Sequence, residues 1–465
     1  MINPVNQNQL QTDCHASREF LLECPIAPEH RIRYHPPGEA QVAQLKNGFP
    51  KIKIGDAFIA DAVEQLQETF IFGALAIRID DTESEPPSPD GTAPTTTISK
   101  NDHVVDLAGV LNTMAVDVKG PWGLVYDGIL GLYVPGRDMD TYRNMARTIR
   151  EHASRQIGTT LSVGIAGYPT DHFPRNQIME NALKALDHAA FLGPDTIVEF
   201  DAVSLNISGD RLYAKGDIEG SITEFENALR LDPTNVNLRN SLGVCYGILK
   251  QYDQALTEFE AAIRLAPGEV MAVYNYGLVM LLTGHPRRAL DHFLQAEQVR
   301  GDIFEVIFHI GKVYLELRQP DEGMTYFKKA LNLNPNASGV YRLMGHCHVR
   351  MKNEAEAISA YTQAVRLNDT DAEALSALGH LYDLRDENLE IATLFCERSI
   401  QLDPQNGCYH HRLGRLYNKA GRFDDSLVAF EKADAQGYDS QTDLAVLKNR
   451  IDDEMEPTRA VKIAH

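Results

Sequence analysis

The second half of the chain carries two apolar stripes per unit at helical spacing, and the unit recurs seven times. Gly209, Gly243, Gly277, Gly311, Gly345 and Gly379 are spaced by 34 residues, and Gly414 follows after 35. The same frame surrounds each glycine. It reads Leu242-Gly243, Tyr246, Ala255, Phe259, Ala262 and Pro267 in the second unit, and Ile310-Gly311, Tyr314, Phe327, Ala330 and Pro335 in the fourth. The seventh gives Leu413-Gly414, Tyr417, Phe430 and Ala433. Tyr252, Ala255, Leu256, Phe259 and Ala262 fall on one face of a helix. Each unit is therefore expected to be two antiparallel helices, over 202–435 in all. The glycine and the small residue 12 positions later allow close approach, and the large residue fills the remaining gap. Asp-Pro or Asn-Pro at 232–233, 334–335 and 403–404 ends the second helix, because the residue before proline avoids helical angles. One pair cannot bury its own apolar face, so the units stack into an all-α solenoid. Two departures, Arg300-Gly301-Asp302 without its proline and an extra residue near Arg385-Asp386-Glu387, read as local loop adjustments. Leu444, Leu447 and Ile451 form a stripe predicting a capping helix over 440–455, with a tail at 457–465.

The first half has a different pattern. Residues 1–50 are polar and punctuated by proline, predicting an arm with a short helix at most. An amphipathic segment (Ala57 to Phe70) leads into a strand at 74–79, and 81–100 reads as a mobile loop by composition. A helix over 102–115 precedes a hairpin from Gly123 to Val134, turning at Asp127-Gly128. A helix over 138–153, a strand over 160–166 and a helix over 176–191 complete the order. This predicts an α+β domain over 56–200, with a mainly antiparallel sheet and flanking helices.

Charge and cysteine usage narrow the function. With 65 acidic against 44 basic residues the net charge is −21, a field that disfavours nucleic acid and anionic lipid. Cys14, Cys24, Cys245, Cys347, Cys396 and Cys408 are scattered, with neither CxxC nor zinc-finger spacing, as expected of free thiols in a reducing compartment. The N-terminus shows no signal peptide and the longest apolar stretch, near 70–77, is too short to span a bilayer, so a cytoplasmic location is expected. His346 with His348, and His410 with His411, diverge around a helix rather than converge on one ion, so no metal is expected. No phosphate loop, Ser/His/Asp arrangement or HExxH motif occurs, and no cofactor is expected.

The repeat frame closely resembles the tetratricopeptide family. The resemblance implies that the first helix of each pair lines a concave groove, at its second, fifth, ninth and twelfth positions. Carried over, Met271, Tyr274, Leu278, Leu281, Phe308 and Leu315 form an apolar middle, and Arg342, His346, His380, His411 and Arg415 a basic end. The implied partner is a protein or peptide segment with an apolar anchor and acidic groups. Asn206, Asp210, Asn240 and Val244 stand where some members carry a carboxylate clamp, so that clamp is not expected.

A second resemblance covers about 56–200. Thr160 to Pro169 (TLSVGIAGYP) is similar to the late strand of GGDEF domains, the diguanylate cyclase family of bacteria. Leu132 to Gly136 resembles the strand leaving that family's signature turn, and Ala182, Ala185, Leu186, Ala189 and Gly193 its closing helix. The chemistry is not carried over. Two metal ions between carboxylates and a triphosphate would be needed, yet the acidic turn positions align with Gly128 and Ile129, and the strand aspartate with Arg78. The implied product-binding motif falls on Asp117-Val118-Lys119-Gly120 and is missing. A one-residue shift leaves Asp80 with Asp127 as a vestigial nucleotide or single-metal site. The expected function is a non-catalytic adaptor. The alternative is a regulator whose degenerate domain binds GTP or a cyclic dinucleotide and alters partner binding.

Overall fold

The computed structural model describes residue 20, residues 34–80 and residues 100–451. The expected loop at 81–100, save its last residue, and the tail at 457–465 lie outside the described residues. The chain divides into two compact units, Met1–Asn275 and Tyr276–His465, with the division inside the helix Val270–Leu282.

The first unit is built on a six-stranded mixed sheet: β1 (Lys53–Ile54), β2 (Phe72–Ile79), β3 (Trp122–Tyr126), β4 (Ile129–Pro135), β5 (Leu161–Tyr168) and β6 (Ile197–Glu199). Their spatial order is β1-β3-β4-β2-β5-β6. β2 is central and antiparallel to both β4 and β5, and β3 is antiparallel to β4. The four longer strands with helices Lys100–Val118 and Met139–Gln156 form a β-α-β-β-α-β core. The outer pairs, β1 with β3 and β5 with β6, are parallel. The expectation of a mainly antiparallel sheet thus holds for the core strands, and short parallel strands extend both edges.

All of β2 except Arg78 is buried, because helices cover both faces of the sheet, which favours a continuous apolar run. Leu75, Ile77 and Ile79 pack with Leu107 and Leu111 of helix Lys100–Val118 and with Tyr142 and Ile149 of helix Met139–Gln156. On the opposite face, Gly131 lies against Met179 and Phe58, from helices Ile178–Leu192 and Asp56–Gln65. Of the expected arm at 1–50, only residue 20 and residues 34–50 are described, and they include the one short helix expected there. Helix Glu39–Gly48 carries fully buried Leu45 into the sheet domain's core, and the His35 carbonyl accepts from the Asp127 amide at the hairpin turn.

Ala202–Ala214 opens a run of seven helix pairs ending at Phe423–Ala435. The glycine at the eighth position of each pair explains their close packing. A Cβ at Gly209 or Gly243 would meet the ring of Phe225 or Phe259 at 2.4 and 2.6 Å. In the second unit the same contact is made with Phe293, Phe327, Tyr361, Cys396 and Phe430. The turn between paired helices always contains a residue with positive φ at one fixed place: Gly216, Lys250, Gly284, Arg318, Lys352, Asp386 and Gly421. In the sixth pair the extra residue produces a second one, Asn388 at φ 48°. A helix over 441–451 then sets Leu444 and Leu447 against Phe430. Among the described residues, no helix is long and apolar enough to cross a membrane.

Candidate functional site

The expected groove residues lie on the first helices of the third to seventh pairs. In the first unit, Tyr274 is fully buried and Met271 partly so. In the second, Leu278 and Leu315 are buried, whereas Leu281 and Phe308 keep part of their surface in solvent. Phe308 stacks on Phe304 with ring centroids 5.8 Å apart. The apolar stretch is thus part core and part surface, and Leu281 and Phe308 are its accessible members.

The basic end is not free charge. Arg342, 27% exposed at its side chain, has Nε 3.1 Å from Asp371 Oδ2 and a second ion pair with Glu373. His346 Nε2 is 3.4 Å from Glu373 Oε1, so one carboxylate of the sixth pair meets both Arg342 and His346 of the fifth. Burial lowers the His346 pKa, with Glu373 opposing and Arg342 and Arg350 adding to the fall. Arg415 Nη2 and Lys419 Nζ lie 3.1 and 2.8 Å from the carboxylate of Asp383, whose side chain is only 2% exposed. His380 is pushed down to about 4 by burial first, then by Arg412 and Arg415 against the opposing Asp383. His411 Nδ1 is 2.9 Å from Ser440 Oγ, which ties the first helix of the seventh pair to the start of the final helix.

Sequence reasoning missed the acids. Glu373 and Asp383 occupy the second and twelfth positions of the sixth pair, so the count that found the cations could also have found them. The expected basic end is instead a network of alternating charge, with Arg342 and Arg415 as its partly exposed donors. Among the described residues, no group of three or more His, Cys, Asp or Glu side chains could hold a metal ion.

At the sheet domain, Arg78 stands directly opposite Ile129 on β4 and Ser162 on β5. Gly128 has φ 69°, as a tight hairpin turn requires, and Asp127 is exposed. Asp80 is buried: Oδ1 accepts from Ser162 Oγ at 2.5 Å and Oδ2 from the Asp195 amide at 2.7 Å, with Arg78 Nη2 3.7 Å away. Asp80 therefore ties β2 to the loop before β6. On the same face, Tyr34 Oη sits 2.9 Å from Asp187 Oδ1, and Arg211 Nη1 is 2.6 Å from Asp187 Oδ2. Burial raises the Asp187 pKa, with Arg211 opposing. This cluster joins residue 34, helix Ile178–Leu192 and the first helix pair.

Helix hairpins of nearly one length, stacked on small residues, define a helical-repeat region. Family profiles described as TPR repeat match residues 209–247, and profiles described as tetratricopeptide repeat match 249–303, 304–337 and 339–371. These segments are tetratricopeptide repeats. No curated protein matches the chain by sequence. Among solved structures, YrrB, described as a TPR protein with an unusual peptide-binding site, is 20% identical, with 40% of this chain and 96% of that chain covered at a TM-score of 0.36. A tetratricopeptide repeat protein from Parabacteroides merdae is 16% identical, with coverage of 53% and 97% and a TM-score of 0.42. Pseudomonas aeruginosa pilF is 20% identical, with coverage of 45% and 94% and a TM-score of 0.41.

Proposed function

We propose that this chain is a non-catalytic cytoplasmic adaptor that holds a protein or peptide segment on the first helices of its repeats. The observation that carries the reading is the row of partly exposed groove positions in the second unit, Leu281, Phe308, Arg342, His346 and Arg415, on repeats of a protein-binding family. An apolar anchor suits Leu281 and Phe308. Acidic groups suit the guanidinium faces that Glu373 and Asp383 leave open, and charge-assisted pairing supplies the directionality. Arginines already oriented by their own acids lose less freedom on binding.

The sheet domain is read as a GGDEF-like domain without its metal ligands. Arg78 opposite Ile129 places a cation and an apolar side chain where the resemblance asks for two carboxylates, and both oxygens of Asp80 are engaged in the fold. That favours the adaptor over the nucleotide-responsive alternative. With GTP and Mg²⁺ or Mn²⁺ we expect no pyrophosphate release; release that Asp127→Asn abolishes would overturn this part. The groove is tested by affinity capture from the native cell with the full chain. Partners should be recovered by wild type and lost with Arg342→Gln/Arg415→Gln, whereas equal recovery by both refutes the groove.

A further inference from the structure

Phe20 is buried, with 6% of its surface exposed. Its ring fills the space beside Gly247. A Cβ built on that glycine would lie 2.5 Å from Phe20 Cζ, 3.0 Å from Cε1 and 3.2 Å from Cε2, and these are the three nearest atoms. The Phe259 ring stacks on it, its centroid 6.4 Å away at an interplanar angle of 25°. With Gly243 at the eighth position, Gly247 is the twelfth residue of its repeat, on the groove face. The fifth and ninth positions of the same helix, Asn240 and Val244, are buried as well. Their counterparts in the fifth repeat, Arg342 and His346, keep 27% of their side-chain surface exposed.

We propose that the groove face of the second repeat is an aromatic-anchor site, and that its occupant is this chain's own Phe20, held in cis. Glycine inside a helix is unfavourable relative to alanine, so Gly247 gives up helix stability for a socket that only an aromatic ring fills here. Only 13 residues separate Phe20 from Tyr34, which bonds Asp187 in the sheet domain, so the chain keeps the ring near the socket at an effective concentration on the order of millimolar. A partner using this end of the groove must displace Phe20, and its apparent affinity falls by the fraction of sockets that are free. The inference concerns regulation of the proposed groove, but its test needs no external partner, so its failure leaves the partner-binding reading standing.

The test titrates a fluorescein-labelled peptide of residues 15–28, carrying Cys24→Ser, into the full chain. The Phe20→Ala chain should bind it at least about tenfold more tightly than wild type, because the tethered competitor is gone. Adding Gly247→Ala, a change that favours the helix, should abolish that binding. Equal affinity for wild type and Phe20→Ala, no binding to either, or binding that survives Gly247→Ala overturns the proposal. Wild type and Phe20→Ala should also sediment identically. A dimer that Phe20→Ala dissolves assigns the ring to a second copy and overturns the cis assignment.

Discussion

Arg342 and Arg415 each meet an acid from the neighbouring repeat. Glu373 pairs with Arg342 and lies beside His346, and Asp383 sits between Arg415 and Lys419. Asp383→Ala would leave two partly exposed cations facing each other, so we expect a loss of about 1–2 kcal/mol, below the figure for a fully buried pair. The shift of the urea midpoint reads it. His380 provides a pH test. Its folded-state pKa of about 4 lies below the ordinary 6.5, so the unfolded chain binds more protons between those values. The contribution is complete above about 6.5 and is lost as pH falls toward 4. His380→Gln should flatten that part of the profile of stability against pH, and an unchanged profile contradicts the assignment. Which residues fall on the first helix of each pair was legible, because a fixed period converts sequence number into place. Which charges pair was not, since that depends on the distance between adjacent repeats.

Among the elements, the repeat helices were the easiest to read, because a glycine every 34 residues under a large side chain fixes both members of each pair. The left-handed turn residue was hidden: lysine, arginine or aspartate holds it in four of the seven repeats, where side chains say nothing of φ. Lys352 adopts φ 62°, so Lys352→Gly should raise stability by about 0.5–1 kcal/mol, and Gly421→Ala, at φ 72°, should lower it by about 1 kcal/mol. Midpoints that move the other way contradict the turn's account. In the sheet domain the long strands and the Asp127-Gly128 turn followed from apolar runs and turn chemistry. A strand of two residues, Lys53–Ile54, has no period to detect. Helix Glu39–Gly48 (EAQVAQLKNG) buries only Gln41 and Leu45, too weak a stripe to separate it from a polar arm.

At the scale of the molecule, the chain joins a sheet domain to a row of tetratricopeptide repeats, and the proposed work is unequally shared between them. In the sheet domain two carboxylates serve the fold: Asp80 on strand β5 and the loop before β6, and Asp187 on Tyr34 and Arg211 of the first repeat. The second unit keeps partly exposed apolar and cationic positions on the first helices of its pairs. We propose that the repeats bind and that the sheet domain does no chemistry for that binding. The most direct test is a calorimetric titration of the captured partner segment into wild type, Arg342→Gln/Arg415→Gln and Asp127→Asn chains. We predict at least about a tenfold loss of affinity, roughly 1.4 kcal/mol, for the groove variant and none for Asp127→Asn. Loss with Asp127→Asn alone, and none with the groove variant, would contradict the account.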